Sequence, residues 1–437
     1  MRLVLGFTVM AGSAAAQDLP PPLTDADFKP VSLIEAELGQ LLFYDPILSG
    51  NRDVSCATCH HPDFGTSDGL SLGLGDGGKG LGPDRLADAA NMPEQRIPRN
   101  SPALFNLGAH EFNVLFADGR IEVDPARPGG LRTPLADDMV AGFVSLLSAQ
   151  TMFPVLSADE MAGHYSENDV AQAVRRGMIT GQSGAWDIIA QRVADIPAYG
   201  DAFIAVYDHI GSPDQIGFTD ISNAVAAFME LEWRSDNAPF DAVLRGEATL
   251  PEPAATGMAL FYGDAGCVSC HAGPFLTDHQ FHATGVPQIG PGKAERFESH
   301  ASDLGRFRVT GDPADMYAFR TPSLRNVALT GPYGHSGAYA DLREFLVAHL
   351  DPVAALEAYT LDLALLPDLP VDDSRGLSDS AAIAAAVTVA PVTGDDAAVD
   401  ALLAFLDSLT DPNAQAGVLG IPDAVPSGLT VARMPEG

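Results

Sequence analysis

All four cysteines of this 437-residue chain stand in two five-residue runs, Cys56-Ala57-Thr58-Cys59-His60 and Cys267-Val268-Ser269-Cys270-His271. Two thiols separated by two residues can add to the two vinyl groups of a haem, and the histidine that follows can reach the iron as proximal ligand. A CxxC pair alone also suits a redox dithiol or half of a zinc site. Two complete copies, each with its histidine and with no cysteine left over, point instead to two covalently bound haem c groups. Cys56, Cys59, Cys267 and Cys270 then carry the thioether links, and His60 and His271 bind the irons.

The elements around these runs read as helices joined by long loops. Leu33, Ile34, Leu38, Leu41 and Leu42 form an apolar stripe just ahead of the first run, and Ala254–Tyr262 repeats the layout of Ile34–Tyr44 ahead of the second. Helical spacing recurs at Asp169–Met178, Trp186–Val193 and Asp220–Trp233, and Val399–Leu409 is amphipathic. The stretches Gly65–Pro98 and Val123–Pro134 are rich in Gly, Pro and Asp and read as loops, the first of them around a haem. No alternating strand run is evident. The expected fold is all-α, mostly helix with long loops, in which two cytochrome c-like haem domains pack together. The repeat places the junction near Asn237–Pro253, with haem domains at 17–240 and 241–415. The aperiodic tail, 416–437, is expected to be loosely held.

Met1 to Gln17 reads as an export signal: Arg2, an apolar run from Leu3 to Met10, and a small-residue cleavage site at Ala14-Ala15-Ala16. A signal peptide of residues 1–16, cleaved near Ala16, suits c-type attachment, which takes place outside the cytoplasm, and predicts a periplasmic product. No later stretch is long and apolar enough to span a bilayer. A formal net charge of −34 argues against nucleic acid or an anionic membrane as partner, and such a surface would attract a basic electron-transfer protein.

Further segments resemble the bacterial di-haem cytochrome c peroxidase / MauG family. They include Arg99-Asn100-Ser101-Pro102-Ala103-Leu104, Phe116-Ala117-Asp118-Gly119-Arg120, Asp159-Glu160-Met161, Thr321-Pro322-Ser323-Leu324-Arg325-Asn326 and Pro332-Tyr333-Gly334-His335-Ser336-Gly337. They follow the family's order from about Leu38 to Asp411. The resemblance implies that peroxide reacts at the His60 haem and that the His271 haem passes electrons to it. It also places Gln150, Pro154 and Glu160 on the family's distal-pocket pattern, with Glu160 as acid and base and Gln150 as the donor that orients peroxide.

Members with an inactive resting state cap this iron with a histidine on a glycine-rich loop. Here Leu74-Gly75-Asp76-Gly77-Gly78 carries Asp76 at that place, a poor haem ligand, so the iron is expected to be open; His61 and His110 are the rival caps. At the second haem, Leu342, Phe345, Leu346 and His349 share one helical face. Such a histidine is ordinarily a packed core residue, but His349 lies fourteen residues after His335, where the family supplies its sixth ligand. His349 is therefore the expected ligand, with Met316 and Met258 as alternatives. His335 is expected to make structural hydrogen bonds. The family also implies one calcium ion, at Asn100, Thr330 and Pro332.

One departure stands out. Ala117 occupies the place of the family's inter-haem tryptophan, and only Trp186 and Trp233 exist elsewhere. The leading expectation is a periplasmic peroxidase that reduces hydrogen peroxide with electrons from a small cytochrome c or cupredoxin, with a homodimer as one form of assembly. A MauG-like oxidase of a partner protein or organic substrate, or a plain di-haem electron carrier, are the alternatives.

Overall fold

The computed structural model describes residues 19–293, 298, 300–392 and 394–434, so the expected signal peptide lies outside the described residues. The chain is mostly helical, and the strands among the described residues are pairings of two or three residues. The largest is the antiparallel set Val114–Leu115, Ile121–Val123 and Leu131–Arg132, in which Leu115 faces Ile121 and Val123 faces Leu131. The expected helices are present as Leu33–Tyr44, Asp169–Arg175, Ala185–Ala194, Phe218–Glu232, Glu252–Tyr262, Leu342–Leu350 and Asp396–Asp407.

Two large hydrophobic cores organise these elements. One is built chiefly from residues between Leu23 and Trp233, the other from residues between Phe240 and Leu409. Each is centred on a crossing of two helices, and the two crossings match atom for atom. A Cβ built on Gly39 would fall 1.8 Å from the Ala224 carbonyl oxygen and 2.9 Å from the Phe228 Cβ. A Cβ built on Gly257 would fall 1.8 Å from the Ala401 carbonyl oxygen and 2.9 Å from the Phe405 Cβ. Only glycine allows backbones to approach this closely. An aromatic ring locks each crossing, Phe43 on Phe228 at 5.2 Å and Phe261 on Phe405 at 5.1 Å. The layout ahead of each CxxCH run is thus repeated in three dimensions as well as in sequence.

The helix ends follow local chemistry. Leu33–Tyr44 stops before Asp45-Pro46, where proline disfavours helical geometry in the preceding residue. Asp395 caps the last long helix by accepting the Ala398 N–H at 2.9 Å.

The tail differs from expectation, because it is fastened to the first core. The Glu232 carboxylate accepts N–H groups from Val418, Leu419 and Gly420 at 2.9, 2.6 and 2.8 Å. Gln40 donates to the carbonyls of Leu419 and Gly420, Ser427 donates to buried Asp45 at 2.6 Å, and Val425 is buried. A buried carboxylate at a helix end requires donors, and it can organise a strand of backbone that has no hydrophobic period of its own.

Replacing Gly39 or Gly257 by Ala should lower stability by about 3 kcal/mol through overpacking at the crossing. Denaturant unfolding of the two variants is the check, with similar losses expected at the two equivalent positions.

Candidate haem sites

The two CxxCH runs adopt the same local geometry. Cys56–Cys59 form one helical turn and Cys267–Ser269 a tighter one, and in each the histidine N–H donates to the carbonyl of the first cysteine at 2.9 Å. Ser55 and Thr58 brace the first turn, the Ser55 N–H donating to the Thr58 hydroxyl at 3.0 Å. His60 Nδ1 lies 2.9 Å from the Thr66 carbonyl and 3.3 Å from Ser101 Oγ, which donates to the Cys59 carbonyl at 2.6 Å. His271 Nδ1 lies 3.1 Å from the Leu276 carbonyl. A carbonyl on Nδ1 fixes the ring and its tautomer and leaves Nε2 to a metal, as is usual for metal-binding histidines.

The loop beyond His271 is held by buried Arg325, which donates to the Pro274 carbonyl at 2.6 Å and to Asp241 at 2.6 and 2.7 Å. All four cysteines are unpaired. Burial pushes the thiols of Cys56 and Cys59 up to about 12 and that of Cys267 to about 11. Thiolate redox chemistry calls for lowered values, so the surroundings suit neutral sulfur. Thiol type, spacing and ring orientation together fit two covalently bound haems.

His349 stands opposite His271, with ring centres 6.5 Å apart and planes inclined by 60°. Two imidazoles on opposite sides of one metal, each nitrogen about 2 Å from it, have ring centres roughly 6 Å apart. The spacing fits a shared iron. Phe345, one helical turn earlier, stacks on His349 at 5.7 Å, and His349 Nδ1 is buried without a hydrogen-bond partner. Burial lowers the affinity of both histidines for a proton, His271 to about 4, which keeps the rings neutral. Met258 packs at the edge of the second core, and Met316 belongs to a separate small cluster with Tyr317, Leu356 and Ile383.

On the His60 side, Gln150 sits on the helix Leu146–Thr151, with its Oε1 buried and unbonded. Pro154 opens the next turn, and Glu160 lies in a single π-helical turn, Ala158–Ala162, a form frequent at functional sites. Burial holds the Glu160 carboxyl above its ordinary value, against the opposing charges of Lys293 and Arg120. The glycine-rich loop is laid on this turn. Asp76 N–H donates to the Glu160 carbonyl at 3.0 Å, and a Cβ on Gly75 would fall 2.3 and 2.5 Å from the carbonyl oxygens of Asp159 and Glu160.

Buried Arg85 gathers the loop by donating to the carbonyls of Leu74, Gly75 and Gly80. The Asp76 carboxylate is taken by two asparagines, Asn51 at 2.8 Å and Asn91 at 3.2 Å. Neither rival cap stands by this loop. His61 is buried beside Phe64 with its Nδ1 accepting the Asp63 N–H, and His110 is exposed.

Between the two histidine-bearing regions lies a buried ionic cluster. Arg99 donates to both oxygens of Asp303, at 2.7 and 2.8 Å, and its third nitrogen is 2.8 Å from Asp118, close enough to pair though not aligned as a hydrogen bond. Arg120 pairs with Asp118 at 3.0 Å and covers the Phe116 ring at 3.7 Å. The Ala117 carbonyl accepts the Arg320 N–H at 2.8 Å.

His335 departs from expectation. Neither of its buried ring nitrogens is hydrogen-bonded, and the ring lies flat on Phe319 at 3.6 Å and 11°. A histidine with a flat apolar ring against one face gains dispersion contact in place of polar partners. Of the candidate calcium residues, Asn100 lies here. Asn100 N–H donates to the His335 carbonyl at 3.0 Å and its Nδ2 to the Leu70 carbonyl at 2.8 Å, and among the described residues no hydrogen bond reaches Asn100 Oδ1 or the carbonyls of Thr330 and Pro332.

Sequence reading missed Lys293, Phe319 and the pairing of Arg99 with Asp303. The last is separated by 204 positions and has no local signature.

Burial alone would raise the carboxyls of Asp118 and Asp303, but Arg99 more than reverses this and holds both below the ordinary 3.8. A depressed folded-state value stabilises the fold above the unfolded-state value and loses that contribution as pH falls below about 4. Asp303→Asn should therefore cost about 3–5 kcal/mol at pH 7, since it leaves Arg99 short of a buried partner. Denaturant titrations of both proteins should show that gap narrowing at pH 3.

Comparison with known proteins points to one family. A family model described as di-haem cytochrome c peroxidase matches residues 34–249. The chain is 31% identical over 365 residues to the cytochrome-c peroxidase IdrP2 of Pseudomonas sp. (strain SCT), which covers 79% of this chain and 80% of that protein. It is 30% identical over 354 residues to the methylamine utilization protein MauG of Methylorubrum extorquens, covering 78% of each. The solved structure of a MauG-like protein associated with microbial copper homeostasis aligns with a TM-score of 0.59 at 26% identity, over 92% of this chain and 96% of that one.

Proposed function

The chain belongs to the di-haem cytochrome c peroxidase family, and on that premise we propose that it reduces hydrogen peroxide to water at the haem held by Cys56, Cys59 and His60. Cys267, Cys270, His271 and His349 would hold the second haem, which would supply the electrons. When bound, the haems supply redox-active iron and, at the first site, a coordination position at which the peroxide O–O bond is broken.

The protein's part is proton handling and orientation. Glu160 takes the proton of one peroxide oxygen and returns it to the departing one, a double role that needs a carboxyl whose value lies closer to neutrality than usual. Burial moves Glu160 in that direction. The amide of Gln150 holds the peroxide in line. One observation carries the reading: the glycine-rich loop is bound to the Glu160 backbone while Asp76 is engaged by Asn51 and Asn91, so this loop offers no side chain to cap the first iron.

The same observation favours a second reading, a MauG-like oxidase that directs the oxidising equivalents of peroxide to a partner protein or organic substrate. In either case residues 17–240 and 241–415 form the two haem units of a periplasmic protein, exported by residues 1–16. A small cytochrome c or cupredoxin serves as donor, attracted by the net charge of −34. We assign a calcium ion to Asn100 Oδ1 and the carbonyls of Thr330 and Pro332, hard oxygen atoms that have no other partner among the described residues.

Mixing peroxide with the fully oxidised protein should change its absorption and electron paramagnetic resonance spectra at once; a requirement for prior one-electron reduction would overturn the open-site reading. Glu160→Gln should slow that reaction by about 10²–10⁴-fold. In the parent protein the rate should fall as pH is lowered through the raised Glu160 value, above 4.5, because the carboxylate is the base. His349→Ala should convert the second haem to high spin, and a retained low-spin signal would point to another ligand. Two low-spin haems in the oxidised parent protein would indicate an electron carrier.

A further inference from the structure

The segments that hold the two proximal histidines are joined by a short, continuous set of contacts. On one side, His60 Nδ1 touches Ser101 Oγ at 3.3 Å, and the neighbouring Asn100 N–H donates to the His335 carbonyl at 3.0 Å. On the other side, His271 Nδ1 touches the Leu276 carbonyl, and the next residue, Thr277, donates through its hydroxyl to the Thr321 carbonyl at 2.7 Å, two residues beyond Phe319. The two halves of this path meet where the His335 ring lies on the Phe319 ring, with centres 3.6 Å apart. The Arg320 N–H, next along the strand from Phe319, donates to the Ala117 carbonyl. The strand that carries Phe319 therefore runs beside Ala117, where this chain has a methyl group.

Three properties suit the pair to electronic coupling. The rings are nearly parallel, at 11°. Both nitrogens of His335 are buried and make no hydrogen bond to other described residues, and the ring's contact with Phe319 is its closest ring contact. Arg99, held by Asp118 and Asp303, stands over the Phe319 ring at 5.6 Å and closes that side of the stack.

We propose that the Phe319–His335 stack is the coupling element between the two haem irons, replacing the indole that Ala117 does not provide. The inference rests on the relay reading above. The stack passes one electron at a time from the His271 side to the His60 side, and each electron that leaves one iron arrives at the other. The rings themselves are neither oxidised nor reduced, and no proton or bond changes place.

The test uses the holoprotein with both haems attached. Photochemical one-electron reduction is followed by recording the redistribution of the electron between the two haems. Phe319→Leu and His335→Leu should each slow redistribution by about an order of magnitude while the absorption spectra and reduction potentials of both haems stay unchanged. His335→Phe, which keeps a stacked ring and lacks the nitrogens, should restore the parent rate. Unchanged rates in both leucine variants would overturn the proposal, as would slowing that occurs only with altered spectra or potentials. Were Phe319→Leu to fold poorly, the contrast between His335→Leu and His335→Phe decides the matter alone. Absence of redistribution in the parent protein would remove the relay reading, and the bridge with it, and is distinguishable from a parent that relays and variants that do not differ.

Discussion

The guanidinium of Arg99 lies buried between Asp303 and Asp118, and the arrangement of both haem-binding regions depends on it. Residues 99–120 belong to the first half of the chain and residues 303–335 to the second, and this cation joins them together with Arg306, which pairs with Glu122, and the Arg320 N–H, which reaches the Ala117 carbonyl. A buried ion pair contributes little net stability compared with apolar packing, since desolvation offsets most of the attraction. Its effect is directional: two oxygens of Asp303 on one edge of a planar fork admit few alternative alignments. Asn100 and Ser101, the next residues, then reach the His335 carbonyl and the His60 ring.

The same helix crossing, built twice, supports two sites that differ in what surrounds them. Gly39 over Ala224 and Gly257 over Ala401 place their CxxCH turns in like fashion, and the proximal rings are both tied through Nδ1 to a carbonyl. The difference comes from the loops. After the first turn a glycine-rich loop, held by Arg85, is pressed onto the backbone of Glu160. After the second, a helix brings His349 to 6.5 Å from His271.

Much of this was legible in the sequence, for physical reasons that also mark where legibility ends. The CxxCH runs carry their chemistry in adjacent residues, and the helix faces carry theirs in a 3.6-residue period, so both could be read locally; His349 needed only the length of one helix and a motif to be placed. Asp76 could be seen to lack an imidazole, though not to be engaged by Asn51 and Asn91. The tail could not be read, because its anchor is a carboxylate at the end of a helix some 190 positions away, with no pattern in the tail itself. Nor could the partner of His335, because an aromatic ring stacked at 3.6 Å arises from two segments meeting that no local period links.

The surroundings of the two sites differ in their titratable neighbours. Around the first, buried carboxyls are held up by desolvation: Asp53 to about 6, Asp68 to about 7, and Asp76, Asp159 and Glu160 in the same direction. At about 6 and about 7, Asp53 and Asp68 exchange protons closer to neutral pH than ordinary carboxyls do. Around the second, the neighbours of His349 are rings: Phe345 against it and Tyr333 against Phe345. Burial lowers the proton affinity of both histidines there, so neither becomes charged across that range. A peroxide reduced to water requires two protons and two electrons, and on the proposed function the raised carboxyls serve the first need and the His271 and His349 site the second. The asymmetry of the pair thus lies in the carboxyls that burial raises around the first site, since burial lowers the proton affinity of the histidines at both.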